Sequence, residues 1–337
     1  MPNSKRCQLI ARDNGAGLSR DLLRLADALR ATGHTVDVLG LPHRGRFAEW
    51  LTRMRLHGKP PAFDANLMLE RIRPEFVSAA RRNVLLPNPE YFRPEDRAAL
   101  PLMDEVWVKT RHAERLFGEL GADTRFIGFD SEDRLLADIP RKHAFFHGPG
   151  RSGNKGTAAL LRLWAKHPEW PALTVAWRRK RVDIETLPAN VVLLREHIDD
   201  ASYRRMQNEH RFHLCPSQTE GYGHYIAEAM SCGAVVVTLD AEPMNELVTA
   251  ERGVLVKAHP SGMQDLATLY AFDESAMETA IARCAAMSEA DATTLGQTAR
   301  QWFESNRAEF PGRLAVAWEA FPLTPTLSPG FAGGEGA

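Results

Sequence analysis

Cysteine is scarce in this 337-residue sequence: there are four, and none forms a CxxC pair, so zinc-ribbon and dithiol redox chemistry have no support. Cys215 and Cys232 lie in apolar runs and read as small core residues. No apolar stretch approaches the roughly 20 residues needed to span a bilayer. The first apolar run, CQLIA, is too short for a secretory signal, so the cytoplasm is the expected location. Neither sign of charge dominates. Lys and Arg number 42 against 43 Asp and Glu, a net charge of -1, which argues against a dedicated nucleic-acid binder. The 12 histidines include no HExxH pair, and no metal is expected.

Two nucleotide motifs are also incomplete. Gly148, Gly150 and Gly153 spell GxGxxG, but the next apolar run, LTVAW, is followed by Arg178 and Arg179 rather than an acidic residue. Asn154 stands where a P-loop needs Lys after Gly153, and Arg20 holds the third place of the pattern begun by Gly15 and Gly17. An NAD-dependent oxidoreductase or an ATPase is therefore not expected.

What is present is the balance of a globular protein, 44% hydrophobic and 25% charged, with enough chain for two domains. Charge is uneven: residues 1–142 carry 24 basic against 20 acidic residues, and the remainder 18 against 23. Most of the excess lies in residues 43–82, nine basic against four acidic. That stretch reads first as a solvated face and second as an approach surface for an anionic acceptor or a membrane.

The chain opens as a βαβ unit. RCQLIAR is a strand and DNGAG a turn; Leu18, Leu22, Leu25, Ala26 and Leu29 then recur at helical spacing before TVDVLGL. RNVLLPNPEYF, DEVWVKT and DTRFIGF continue the alternation. A polar connection, residues 130–142, precedes a second series: HAFFH, a helix from Thr157 to Ala165, LTVAW, NVVLL, FHLCP and AVVVT. Helices are expected over 274–287, 292–304 and 313–321. Two βα series predict an α/β protein of two Rossmann-like doubly wound domains with a cleft between them. The expected division is 1–142, 143–300, a helix in 301–321 packing back on the N-terminal domain, and a Pro- and Gly-rich disordered tail, 322–337.

The chemistry concentrates in CPSQTEGYGHYIAEAMSCGAVVV, residues 215–237. A strand ends at Cys215. Gly221 and Gly223 let the loop approach a ligand, and a helix starting near His224 points its free N–H groups at the loop, a site suited to a diphosphate. Glu220 in the loop and Glu228 in the helix can both face that pocket. Carboxylates accept hydroxyl donors in pairs, as sugars and ribose present them. Arg151 and Lys155, in the loop after HAFFH, can oppose diphosphate charge.

These residues resemble the signature of the group 1 (family 4) retaining glycosyltransferases of the GT-B fold: Pro216–Ser217, Glu220, Gly221, Tyr222, Gly223, and Glu228 after seven intervening residues. RSGNKG resembles that family's phosphate-binding Arg and Lys, with a spacing one residue shorter, and NGAG resembles its N-terminal opening. The resemblance implies a glycosyltransferase that moves a sugar from a nucleotide-sugar donor to a glycan, lipid-linked or other acceptor with retention, and no cofactor or metal. It implies that Glu220 touches the transferred sugar, Glu228 holds ribose, Arg151 and Lys155 neutralise the leaving diphosphate, and Gly221, Tyr222 and Gly223 line the donor pocket. Gly15 and Gly17 would lie toward the acceptor. Asn88 and Glu90, at a strand end, are further acceptor-side candidates. The alternatives are a nucleotide-sugar epimerase on the same fold and a non-catalytic nucleotide-sugar-binding protein.

Overall fold

The computed structural model describes residues 4–12, 17–41, 46–56, 58–178 and 187–320. Gly15 and the tail 322–337 lie outside the described residues.

The first series supplies β1 (Arg6–Arg12), β2 (Thr35–Leu41), β3 (Phe63–Leu69), β4 (Ala80–Leu86), β5 (Glu105–Val108) and β6 (Thr124–Phe126). Their sheet has the order β2-β1-β3-β4-β5-β6. The second series supplies β7 (Lys142–Gly150), β8 (Leu173–Trp177), β9 (Val191–Leu194), β10 (His210–Cys215), β11 (Val235–Leu239) and β12 (Val254–Val256), in the order β12-β11-β10-β7-β8-β9. The recorded pairs in both sheets are parallel. Two doubly wound sheets of this kind are the pair of Rossmann-like domains expected from the two βα series. An antiparallel hairpin, β13 (Ala258–Gln264) and β14 (Ala267–Phe272), stands apart from both.

The helices are α1 (Gly17–Ala31), α2 (Arg46–Leu56), α3 (Pro94–Ala99), α4 (Arg111–Glu119), α5 (Thr157–Ala165), α6 (Asp200–Glu209), α7 (His224–Ser231), α8 (Met244–Leu247), α9 (Glu274–Ala285) and α10 (Glu289–Glu319). No described helix is long and apolar enough to cross a membrane.

Contacts divide the chain into two compact units that interleave in sequence: 1–86, 95–107 and 311–337 form one, and 87–94 and 108–310 the other. In the first, the periodic leucines of α1 do what their spacing predicts, with Leu22, Leu25 and Leu29 at most 5% exposed. Trp318, near the end of α10, sits in the same core with ring centroids 4.9 Å from His34 and 5.9 Å from Trp107. Lys5 Nζ donates to the Trp318 carbonyl at 3.0 Å. The two helices expected over 292–304 and 313–321 are one helix of 31 residues that runs through Pro311.

In the second unit β10 and β11 are buried along their whole length, as a central parallel strand must be. The strand order reverses between β10 and β7, so the chain leaves these two neighbours toward opposite faces. Open α/β sheets bind ligands at the carboxyl ends of the strands flanking such a switch point.

Candidate active site

The loops following β7 and β10 meet at that switch point. Thr238 Oγ1 of β11 donates to the Cys215 carbonyl at 2.7 Å and fixes where β10 ends. The next turn is tied to the β7 loop by the Gln218 amide, which donates to the Asn154 carbonyl at 2.9 Å. Gly156 holds φ +66°, and a Cβ there would strike the Pro216 carbonyl. Only glycine lets the two loops lie this close. Gly223, at φ +105°, heads α7, and no side chain caps the start of that helix, the end where a helix dipole favours an anion.

Glu220, 8% exposed, is the hub. Its Oε1 accepts from Lys155 Nζ and from Ser217 Oγ. Lys155 Nζ also lies 4.5 Å from the centre of the Tyr225 ring. The Tyr225 hydroxyl is 2.6 Å from Ser217 Oγ. Burial, reinforced by Cys215 and Glu220, pushes the phenol well above its ordinary range and keeps it protonated. Because Ser217 donates to Glu220, Tyr225 donates to Ser217. The result is a short relay, Tyr225 to Ser217 to Glu220, closed by an ammonium. Arg151 is exposed in the turn after β7, whereas the Lys155 side chain is only 15% exposed.

Glu228 is 5% exposed on the face of α7 that turns inward. Its Oε2 accepts from Gln207 Nε2 at 3.2 Å. Gln207 Oε1 in turn accepts from Arg134 Nε at 3.0 Å, and Arg134 pairs with Asp200 at 2.8 Å. His147 braces the floor of the site. Its Nδ1 faces the Leu214 carbonyl at 2.7 Å and its Nε2 faces Thr157 Oγ1 at 2.8 Å. A carbonyl can only accept, so Nδ1 carries the proton and Nε2 accepts from Thr157. Desolvation lowers the imidazole to about 4, which keeps it neutral and locks β7 to β10 and α5.

Asn88 and Glu90, which follow β4, belong to the same compact unit as this cluster. A Cβ on Gly221 would collide with the Asn88 side chain, so the signature loop packs directly on that segment. Lys109 Nζ, at the carboxyl end of β5, donates to Asn88 Oδ1 at 3.1 Å and lies 4.8 Å from the centre of the Phe129 ring. Glu90 is 8% exposed, its Oε2 makes no hydrogen bond, and its carboxyl is raised to about 7. Burial is the main cause, with Glu220 raising it further and Lys109 and Lys155 opposing.

The β13–β14 hairpin ties these parts together. Gln264 Nε2 donates to the Glu90 carbonyl at 2.8 Å, and Asn154 Nδ2 donates to Gln264 Oε1 at 2.6 Å. The Tyr222 ring, by contrast, turns into the core, with its centroid 5.7 Å from that of Phe129. Gly17 opens α1 in the other unit.

Sequence reasoning passed over Lys109, Tyr225, Gln207, Arg134 and the hairpin. Lys109 had a readable signal: like Asn88, it is a polar residue at the end of an apolar strand of a parallel sheet, where ligands bind.

Residues 146–270 match the family model of glycosyl transferases group 1, a span that holds Lys155, Glu220, Glu228 and the hairpin's Gln264. The chain carries a group 1 glycosyltransferase domain on a GT-B fold. Solved structures agree on the architecture. Sucrose-phosphate synthase from Thermosynechococcus elongatus superposes with a TM-score of 0.71 at 17% identity, over 94% of this chain and 98% of that one. HepE of Anabaena, solved with UDP and glucose, gives 0.69 at 15%, over 94% and 100%. A glycosyltransferase from Rickettsia africae gives 0.69 at 12%, over 94% and 98%. No curated protein sequence matches the chain. At these identities the chain shares its neighbours' fold, and its substrates must be argued from its own residues.

Proposed function

We propose that this glycosyltransferase moves a sugar from a nucleoside-diphosphate sugar to an acceptor hydroxyl with retention of configuration. The observation that carries the reading is the Lys155–Glu220–Ser217 cluster, set at a topological switch point beside the uncapped start of α7. The cation and the helix end suit a diphosphate, and the carboxylate suits sugar hydroxyls.

In this reading Lys155, assisted by Arg151, neutralises the departing diphosphate. Glu220 holds hydroxyls of the transferred sugar, and Glu228 holds the ribose. The backbone of residues 221–223 lines the donor pocket. Asn88, packed on Gly221, and Glu90 stand where the acceptor meets the transferred sugar, and Gly15 and Gly17 remain candidates for the acceptor. A bound metal is not part of the mechanism. The HepE complex makes uridine the first nucleotide to test. The acceptor is a glycan, a lipid-linked or another hydroxyl-bearing molecule. Helix α2 supports an approach to an anionic surface, since Trp50 and Met54 are 54% and 57% exposed beside Arg53 and Arg55.

The test is a panel of UDP-, GDP-, ADP- and TDP-sugars, scored for thermal stabilisation, donor hydrolysis and transfer. One donor should stabilise the protein and be consumed, and the anomeric proton coupling of the product should match that of the donor. An inverted product removes the retaining mechanism. Stabilisation without consumption reduces the chain to a binding protein.

A further inference from the structure

Glu90 combines three properties that a structural carboxyl has no reason to combine. It is almost fully buried, one of its oxygens makes no hydrogen bond, and its segment is held in place from both sides. Gln264 grips the Glu90 carbonyl while itself held by Asn154 of the phosphate loop, and Asn88, two residues back, packs on Gly221 beside Glu220. A buried polar atom left open in an otherwise tied segment is a place kept for a ligand.

We propose that Glu90 is a substrate-contacting acid whose protonated carboxyl, through Oε2, donates a hydrogen bond to a sugar hydroxyl while the Glu220 carboxylate accepts from that same hydroxyl. The inference rests on the transfer reading given above. A hydroxyl is both donor and acceptor, and a carboxylic acid paired with a carboxylate satisfies both of its roles. Two carboxyls in unlike environments can divide such work. Glu220 is ion-paired with Lys155, while Glu90 is desolvated and feels Glu220 as a like charge.

The charged groups acting on Glu90 are Glu220, Lys109 and Lys155. A diphosphate drawn to Lys155 cancels part of the positive charge that favours ionised Glu90, so donor binding strengthens its hold on the proton. Glu90 is therefore not the base of the reaction. The bond from the anomeric carbon to the diphosphate oxygen breaks, a bond to the acceptor oxygen forms, and the acceptor proton leaves with the diphosphate. Glu90 keeps its own proton throughout.

The experiment is the pH profile of kcat/KM for transfer in three proteins, with UDP, GDP and ADP binding measured alongside. Wild type should be active below about 7 and fall up to tenfold per pH unit above it as Glu90 ionises. Glu90→Gln, which keeps a donor and cannot ionise, should lose a few-fold below pH 7 and show no fall above it. Glu90→Leu should lose at least tenfold at every pH while binding the nucleoside diphosphate as wild type does. The proposal is overturned if the alkaline limb persists in Glu90→Gln, if Glu90→Leu transfers at the wild-type rate, or if wild type instead gains activity through pH 7 and Glu90→Gln is dead. An active wild type with indifferent Glu90 variants sinks this inference alone. A wild type that transfers nothing from any donor sinks the reading beneath it as well.

Discussion

Glu220 and Glu228 stand eight residues apart, are almost equally buried, and are held by opposite means. Glu220 meets a cation directly, through Lys155, with Ser217 and Tyr225 stacked behind it. Glu228 accepts from a neutral amide, Gln207, which also accepts from Arg134, and the Arg134 charge acts on Glu228 without an ion pair of the Lys155 kind being formed through Gln207. The difference separates two kinds of site. A carboxylate locked to a lysine must give up or share that partner when a diphosphate arrives, so its geometry changes on binding and again as charge moves during reaction. A carboxylate oriented by an amide keeps its place and its charge for a ligand that does not change. In the transfer reading the first belongs to the reacting sugar and phosphate, and the second to the ribose.

The largest effect expected from breaking this contrast is at the ion pair. Lys155→Ala removes the group placed to stabilise charge that builds on the diphosphate. Loss of one such preorganised group costs on the order of a hundredfold or more in turnover. It also strands the Glu220 carboxylate, so donor affinity should fall too. Single-turnover transfer with saturating donor reads the first effect and calorimetry the second. A turnover within threefold of wild type would remove Lys155 from the chemistry.

Next come the carboxylates themselves. Hydrogen bonds to a charged group are worth about 1.5–3 kcal/mol. Glu228→Ala should therefore weaken the donor sugar and the free nucleoside diphosphate alike, by roughly tenfold or more. Glu220→Ala should cut transfer and leave nucleoside diphosphate binding close to wild type. Identical behaviour of the two variants in both assays would erase the distinction drawn above.

Stability against pH sharpens the contrast between the site and the floor beneath it. Glu90 titrates near 7 in the folded chain, above the 4.5 of a free glutamate. The folded state holds that proton more tightly than the unfolded one. Its contribution is complete below 4.5 and is lost as pH rises through about 7, a change of roughly 3 kcal/mol. His147 and His213 run the other way. Burial lowers them to about 4 and about 3, so their contribution is complete above 6.5 and is lost as pH falls toward those values. Glu90→Gln should therefore raise the melting temperature by roughly 5 °C at pH 8 and change it little at pH 4.5. Equal shifts at both pH values would mean that Glu90 is not held protonated by its surroundings.

Much of this architecture could be read from residue order, and the failures have physical causes. The leucines of α1 and the strand–Gly loop–helix of residues 215–231 follow period and turn chemistry that burial then enforces. Strand β3 was hidden because a central strand is expected to be apolar, and this one carries Asn66. Its Nδ2 donates inside the unit to Asn83 Oδ1 at 2.9 Å and to the Phe76 carbonyl at 2.8 Å, while its buried Oδ1 makes no hydrogen bond. The hairpin was hidden by Pro260 and Gly262, which read as loop residues and sit at a register shift. The two helices expected over 292–304 and 313–321 are one because α10 continues through Pro311. At the site, the loop signature names Glu220 and Glu228. Gln207, which holds Glu228, comes from α6, and Lys109 reaches Asn88 from the end of β5; those meetings depend on the sheet order, which local sequence does not encode.

The smallest effect expected is at Gln207, and it bears most directly on the opening comparison. Gln207 makes no contact with a ligand in this reading. It presents an N–H to Glu228 and an oxygen to Arg134, and so fixes both. Gln207→Leu keeps much of the volume and removes both bonds. Glu228 then loses the Gln207 donor, and the Arg134 Nε, in a side chain only 3% exposed, loses its acceptor. Leaving a buried donor unmade costs about 1–3 kcal/mol, so some thermal stability goes with it. Lost aim should show as a several-fold weaker affinity for the donor and for the free nucleoside diphosphate, with turnover at saturating donor nearly intact. Gln207→Glu is the sharper probe, because it sets a second carboxylate against Glu228 while still offering an oxygen to Arg134. If Glu228 is held for the ribose by an amide, Gln207→Glu should weaken nucleotide binding more than Gln207→Leu while costing less stability. A variant in which turnover falls and affinity stays would mean that Gln207 serves the reacting sugar, and that the two carboxylates are not held for different tasks.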